Sequence, residues 1–180
     1  ALSCEDFEEH SERLRALLQP EIPSGAIAAL KKLPYLIGEL KGVPPKTAGS
    51  GMCQEIVMQG DEVDLTQLPA LTCWPEDAGP YVTLPLVFTH DPQSGKRNVG
   101  MYRVLIYDKN TTGMHWQMHK TGARHMEAAG EKGQRIEAAI VLGADPAVTF
   151  SAISPLPPGI DEMLFAGFLR KENDHMEPCK

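Results

Sequence analysis

Residues 96–120, "KRNVGMYRVLIYDKNTTGMHWQMHK", gather Asn98, Arg103, Lys109, Asn110, His115, Trp116, Gln117, His119 and Lys120 around one apolar run, "VLIY". A surface hairpin does not need two histidines, a tryptophan, three amides and an arginine in so short a space. His115 and His119 are four apart, which on a helix would set both imidazoles on one face at a spacing able to chelate a metal. However, "HWQMH" has Trp116 and Gln117 where the HExxH motif carries its general-base glutamate, so a zinc-protease reading fails. An isolated i,i+4 histidine pair is more often a surface coincidence.

Asn98 and Arg103 are five apart, so a regular strand would point them to opposite faces. Gly100 between them is the residue that would permit a bulge and bring both to one site. The alternative is that Asn98 belongs to a turn and Arg103 pairs with a surface acid. Asp161 and Glu162, between "PLPPGI" and "MLFAGFLR", read in isolation as acids that favour a helix N-terminus. "LGADP" lacks the lysine and hydroxyl of a P-loop, and no GxGxxG occurs.

The elements that must position these groups follow from the pattern. Residues 5–18 and the stretch after Ser24, broken or kinked at Pro34, predict two helices, and "KGVPPKTAGSG" predicts a linker. "CQEIVMQG" predicts a strand. "YVTLPLVFTH" and "NVGMYRVLIYD" flank the turn-rich "DPQSGK" and predict a β-hairpin. A helix is expected over "HWQMHKTGARHMEAAGEKG", a buried strand at "RIEAAIVLG", and a short helix at "DPAVTFSAI" with Asp145 and Pro146 at its start. The stretch after "PLPPG" predicts a last helix or strand. The order lacks the regular alternation of a doubly wound sheet, so the fold class is α+β.

With 180 residues and 42% hydrophobic content the chain can bury one core. No window approaches the roughly 20 apolar residues of a membrane-spanning helix, and the opening residues are acidic where a secretory signal is basic and then apolar. The expectation is a soluble, cytoplasmic protein. The net charge of −7 is interleaved, with no basic stripe, so nucleic acid is not an expected partner. Cys4, Cys53, Cys73 and Cys179 are widely spaced without a CxxC and read as reduced thiols.

The string from Cys53 to His125, continued by "AAIVLGADPAVTFSAISPLPPGIDEMLFAGFLRKE", closely resembles the UbiD-type decarboxylases. The likeness divides the chain into an N-terminal helical segment (1–44), a flavin-binding domain (45–172) and a tail (173–180). It implies a split β-barrel with flanking helices that holds prenylated FMN, a divalent ion, usually Mn²⁺, and K⁺. Carried over by position, Asn98, Glu162 and, with a one-residue shift, His119 resemble the metal ligands. Arg103 resembles the catalytic arginine that approaches substrate and cofactor. Met101, Tyr102, Arg103, His115, Trp116, Gln117, Lys120 and Thr121 resemble the cofactor contacts.

The resemblance implies reversible, non-oxidative decarboxylation of an aromatic or α,β-unsaturated carboxylic acid. A flavin prenyltransferase would supply the cofactor, and a homo-oligomer or a separate chain would complete the site. The family's acid/base carboxylates lie beyond the stretch matching "FAGFLR", whereas here only "KENDHMEPCK" follows, so a truncated form is expected. Glu172, Asp174 and Glu177 sit in no family motif and are assigned no role. The other reading is a non-catalytic module that holds flavin and metal or serves oligomerisation.

Overall fold

The structure is a computed structural model that describes residues 6–18, 44–156 and 160–178. The expected helix after Ser24, with its break at Pro34, lies outside the described residues. Helix α1 (Phe7–Leu18) carries Glu8 and Glu9 in its first turn, and Asp6 accepts from the Glu9 amide at 2.8 Å. Strand β1 (Lys46–Thr47) lies inside the expected linker and pairs in parallel with β8 (His175–Met176).

The expected strand at "CQEIVMQG" is not formed. Met52–Gln54 is a single 3₁₀ turn, and Ile56, Val57 and Met58 are exposed with no strand partner among the described residues. The expected hairpin is present as β3 (Leu86–His90) and β4 (Arg97–Met101), in the register Leu86–Met101 to His90–Arg97. Asp91 organises its turn, accepting from the Gln93 amide at 2.9 Å and the Ser94 hydroxyl at 2.6 Å, while Gly95 takes the positive φ of 69°.

Strand β2 (Tyr81–Val82) leaves this hairpin and pairs with β5 (Val104–Ile106), which also pairs with β6 (Thr112–Met114). The second sheet is β4-β3-β7, with β7 spanning Ala138–Val141. Strand β7 is an edge with three of its four residues exposed, so the expected buried strand is a strand but is not buried. Both three-stranded sheets are antiparallel, giving an α+β fold, and no closed barrel is formed among the described residues.

Alternation along the β3–β4 pair sends Leu86, Phe88, Val99 and Met101 to one face. There they pack with Val148 of α3 (Pro146–Ile153) and Met163 and Ala166 of α4 (Glu162–Arg170). Asp145 caps α3 by accepting from the Ala147 amide at 2.8 Å, and Asp161 caps α4 through the Met163 and Leu164 amides. Val87, Thr89, Asn98 and Gly100 take the opposite face, where α2 (Thr121–Glu131) packs. Helix α2 starts six residues later than the pattern predicts. Residues 115–120 are irregular and bring Trp116 against Tyr102, so His115 and His119 do not share a helix face.

Candidate functional site

Part of the chemistry-bearing set meets along β4. Among the described residues this strand is an outer member of its sheet, and the Val99 amide has no neighbouring strand there to donate to. Glu162, the first residue of α4, takes its place: one carboxylate oxygen accepts from the Val99 N–H at 3.1 Å. Asn98, one residue away, is buried, and its side-chain Nδ2 has no hydrogen-bond partner among the described residues. An orphaned buried amide is costly, so it marks a place where a ligand would be favoured. Burial also pushes the Glu162 carboxyl above its ordinary pKa, with the neighbouring Asp161 charge acting in the same direction and the Val99 hydrogen bond and Arg97 opposing it.

Around this edge opens a cleft of about 670 Å³. Its floor is the strand and corner from Lys96 to Tyr102. One wall is the start of α2, with Lys120, Thr121, Arg124 and His125, and the other is formed by residues 152–156 and 160–162. Four cations (Lys96, Arg97, Lys120, Arg124) face three acids (Asp91, Asp161, Glu162), a mixture suited to an anionic ligand held together with a cation. His125 is buried and shares a 3.0 Å hydrogen bond with the Thr89 hydroxyl through Nδ1, which ties α2 to β3. Burial lowers the His125 pKa, against the attraction of Asp91.

The floor depends on two close approaches. The Tyr102 ring lies over Gly100, where an added Cβ would collide with the phenol, and the Tyr102 hydroxyl accepts from the Gly122 amide at 3.4 Å. Gly122 in turn sits where a Cβ would come within 2.9 Å of the Trp116 indole nitrogen. Tyr102 and Trp116 meet edge to face at 6.2 Å. The two glycines are therefore needed for space.

Of the residues singled out in the sequence, Asn98, Met101, Tyr102, Lys120, Thr121 and Glu162 line the cleft. Trp116 stands behind Tyr102, half-buried, with its indole nitrogen buried and without a hydrogen-bond partner among the described residues. His115, Gln117 and His119 are exposed and lie outside the cleft lining. Arg103 is at the corner where the chain leaves the β4 sheet and enters the β5 sheet, exposed, with its guanidinium carbon 5.1 Å from the centre of the Tyr81 ring. No bulge at Gly100 brings it onto the Asn98 wall; the chain changes sheets instead. Among the described residues no three His, Cys, Asp or Glu side chains cluster as metal ligands.

Sequence reasoning did not single out Lys96, Arg97, Arg124 or His125. The partners that give Arg97 a role lie 64 and 79 residues away, beyond the reach of any local pattern. The one available signal was the adjacency of Arg97 to Asn98.

Residues 46–180 match the family model for the UbiD 3-octaprenyl-4-hydroxybenzoate carboxy-lyase Rift-related domain. The chain belongs to the UbiD family. Among relatives, an uncharacterised protein of Archaeoglobus fulgidus is 45% identical over 181 residues, covering all of this chain and 36% of that protein. The apo 3,4-dihydroxybenzoic acid decarboxylase of Enterobacter cloacae is 29% identical, with a TM-score of 0.69 over 95% of this chain and 36% of that one. The evolved dimeric UbiD-class enzyme HmfF of Pelotomaculum thermopropionicum, in complex with prFMN, has a TM-score of 0.72 over 81% of this chain and 36% of that one. At 24% identity it shows the fold alone. The chain thus spans about a third of the length of the relatives it matches. No helix among the described residues is long and apolar enough to cross a membrane.

Proposed function

We propose that residues 45–172 form the flavin-holding unit of a prenylated-FMN-dependent carboxy-lyase, with the sheets arranged as a split barrel. It would act reversibly and without net oxidation on an aromatic or α,β-unsaturated carboxylic acid. The observation that carries this reading is the pairing of an unsatisfied buried Asn98 amide with Glu162, a carboxylate whose charge is opposed by burial. A divalent cation answers both. The Asn98 amide can turn to present its oxygen, and a carbonyl with a carboxylate is a hard donor pair that suits Mn²⁺ better than a thiophilic metal.

Asn98 and Glu162 would hold the ion, and His119, exposed before α2, would have to move to join them. Phosphate oxygens of the flavin, with Lys120, Thr121 and a K⁺ ion beside them, would complete the site. Bound there, the prenylated flavin supplies the electron sink for loss of CO₂. The chain's own part is to orient and to exclude water: Met101 and Tyr102 shape the floor, while His115, Trp116 and Gln117 lie on the flanking loop. Arg103 would grip the substrate carboxylate through a bidentate, charge-assisted pair, and its exposed position at the corner leaves the guanidinium available.

A flavin prenyltransferase would supply the cofactor in the cytoplasm, and a further copy or chain would cover the substrate side. The test is native mass spectrometry with metal analysis after co-expression with a flavin prenyltransferase. Bound prenylated FMN with about one Mn²⁺ per chain is expected for a site built this way. A folded chain carrying neither overturns the proposal.

A further inference from the structure

The carboxylate of Glu162 can serve the β4 edge only if α4 begins at the right height against that strand. A backbone-capping aspartate and a cross-linking arginine set that height. Asp161 accepts through one oxygen from the Met163 amide at 2.8 Å and the Leu164 amide at 3.3 Å, fixing the first turn of α4. Its other oxygen accepts from Arg97 Nη2 at 2.6 Å. Arg97 is the residue before Asn98, on the face of β4 that α4 covers. Its Nη1 lies 2.9 Å from the Met176 sulfur on β8, and its buried Nε has no partner among the described residues.

We infer that Arg97 and Asp161 are a positioning pair that holds Glu162 and Asn98 in register for a divalent cation at the β4 edge. The inference rests on the proposed metal-bridged flavin site and adds two residues to it. Two links run side by side between the same two elements: Arg97 to Asp161, and the Val99 amide to Glu162. Each end of one link is adjacent to, or two residues from, an end of the other, so a small shift of Asp161 moves the Glu162 carboxylate directly.

A purely structural role fits the pair less well. Both side chains retain some solvent contact, at 17% and 34% exposure, and ion pairs of that kind add little to stability. A sulfur is a poor acceptor, and an unpartnered Nε is a cost that an apolar side chain would avoid. What the pair supplies is geometry, and groups that orient metal ligands change metal affinity by roughly 10–100-fold when removed.

The variants are Arg97→Met, which keeps an apolar stem, and Asp161→Asn, which keeps a helix-capping side chain while removing the charge. Mn²⁺ is titrated into purified wild type and each variant in the presence of FMN, and amide exchange at Val99 is followed without ligand. The expected result is about 10–100-fold weaker Mn²⁺ binding in each variant. The double variant should be no worse than the poorer single, because both act through one contact. Val99 should lose amide protection while the unfolding midpoint stays close to wild type, and Arg97→Lys should recover part of the affinity.

Wild-type Mn²⁺ affinity and Val99 protection in both variants would overturn the inference and leave the metal site standing. A wild type that binds no Mn²⁺, and a Glu162→Gln variant that matches it, would overturn the site and the inference together.

Discussion

Glu162 is the side chain on which the local electrostatics converge. Burial raises its pKa above the ordinary 4.5, so the folded chain holds this proton more tightly than the unfolded chain does. Its contribution therefore favours the fold below the unfolded value and is lost as pH rises through the higher folded value. In the metal-free chain, Glu162→Gln should accordingly be more stable than wild type at pH 7, with the difference closing by about pH 4. The glutamine oxygen can still accept from the Val99 amide. Urea unfolding midpoints measured across that range in chelator check the sign, and added Mn²⁺ should stabilise wild type but not the variant. Arg103 makes a separate prediction. Stacked on Tyr81 and outside the cleft lining, it can be lost without disturbing the floor. Arg103→Ala should keep wild-type FMN retention and bind a carboxylate substrate analogue about 10–100-fold more weakly, the loss expected for a charged hydrogen-bonded pair. Loss of the flavin instead would make Arg103 a cofactor anchor. Calorimetric titration of FMN and of the analogue separates the two outcomes.

Elements place these residues through contacts between segments far apart in the chain, and this divides what the sequence made legible from what it hid. The β3–β4 hairpin was legible because its turn chemistry is local: Asp91, Ser94 and Gly95 close it within six residues. The start of α3 was legible for the same reason, with Asp145 capping and Pro146 following. Asn98 and Glu162 were singled out through family resemblance; spacing alone left Asn98 open between a turn and a site. The helix expected from His115 takes in the Trp116 ring, because no side-chain cap at Lys120 marks the true start. That ring instead packs edge-on against Tyr102, and the helix waits for Thr121. Arg97 and His125 were hidden because their partners, Asp161 and Thr89, are 64 and 36 residues distant. The same contacts make Gly100 a test of the element. A methyl there would meet the Tyr102 phenol, so Gly100→Ala must displace the ring from the Gly122 amide or bend β4. Overpacking of this kind costs about 1–3 kcal/mol. Chemical denaturation should show that loss, and near-ultraviolet circular dichroism should report the displaced Tyr102–Trp116 pair.

At the scale of the whole molecule, the last described residues reach back to hold the beginning of the domain. The Lys46 amide donates to the Asp174 carbonyl and the Ala48 amide to the Met176 carbonyl, both at 2.8 Å. The side-chain Nδ2 of Asn173 donates to the Pro44 carbonyl at 2.7 Å, and Gln54 Nε2 donates to the Pro178 carbonyl at 2.6 Å. Asp174 is buried against Arg170 at 2.9 Å, and Arg170 also faces Asp145 at the cap of α3, so the same segment ties together the ends of α3 and α4. Met176 touches Arg97, which carries the connection to the edge of β4 where Glu162 meets the Val99 amide. A chain ending at Glu172 would lose the β1–β8 pairing, strip Arg170 of its buried partner and free one side of Arg97. Four hydrogen bonds at about 1 kcal/mol each, with part of a half-buried ion pair, put the loss on the order of 5 kcal/mol. For a domain of this size that corresponds to a fall in Tm of roughly 15 °C. A calorimetric scan gives the stability change. Mn²⁺ titration at a temperature where the shortened chain is still folded then reads the second consequence, weaker metal binding through the loosened Arg97. A Tm drop with unchanged Mn²⁺ affinity would confine the tail to holding the fold, and weakening of both would mean that the closure of the domain also sets the geometry of its site.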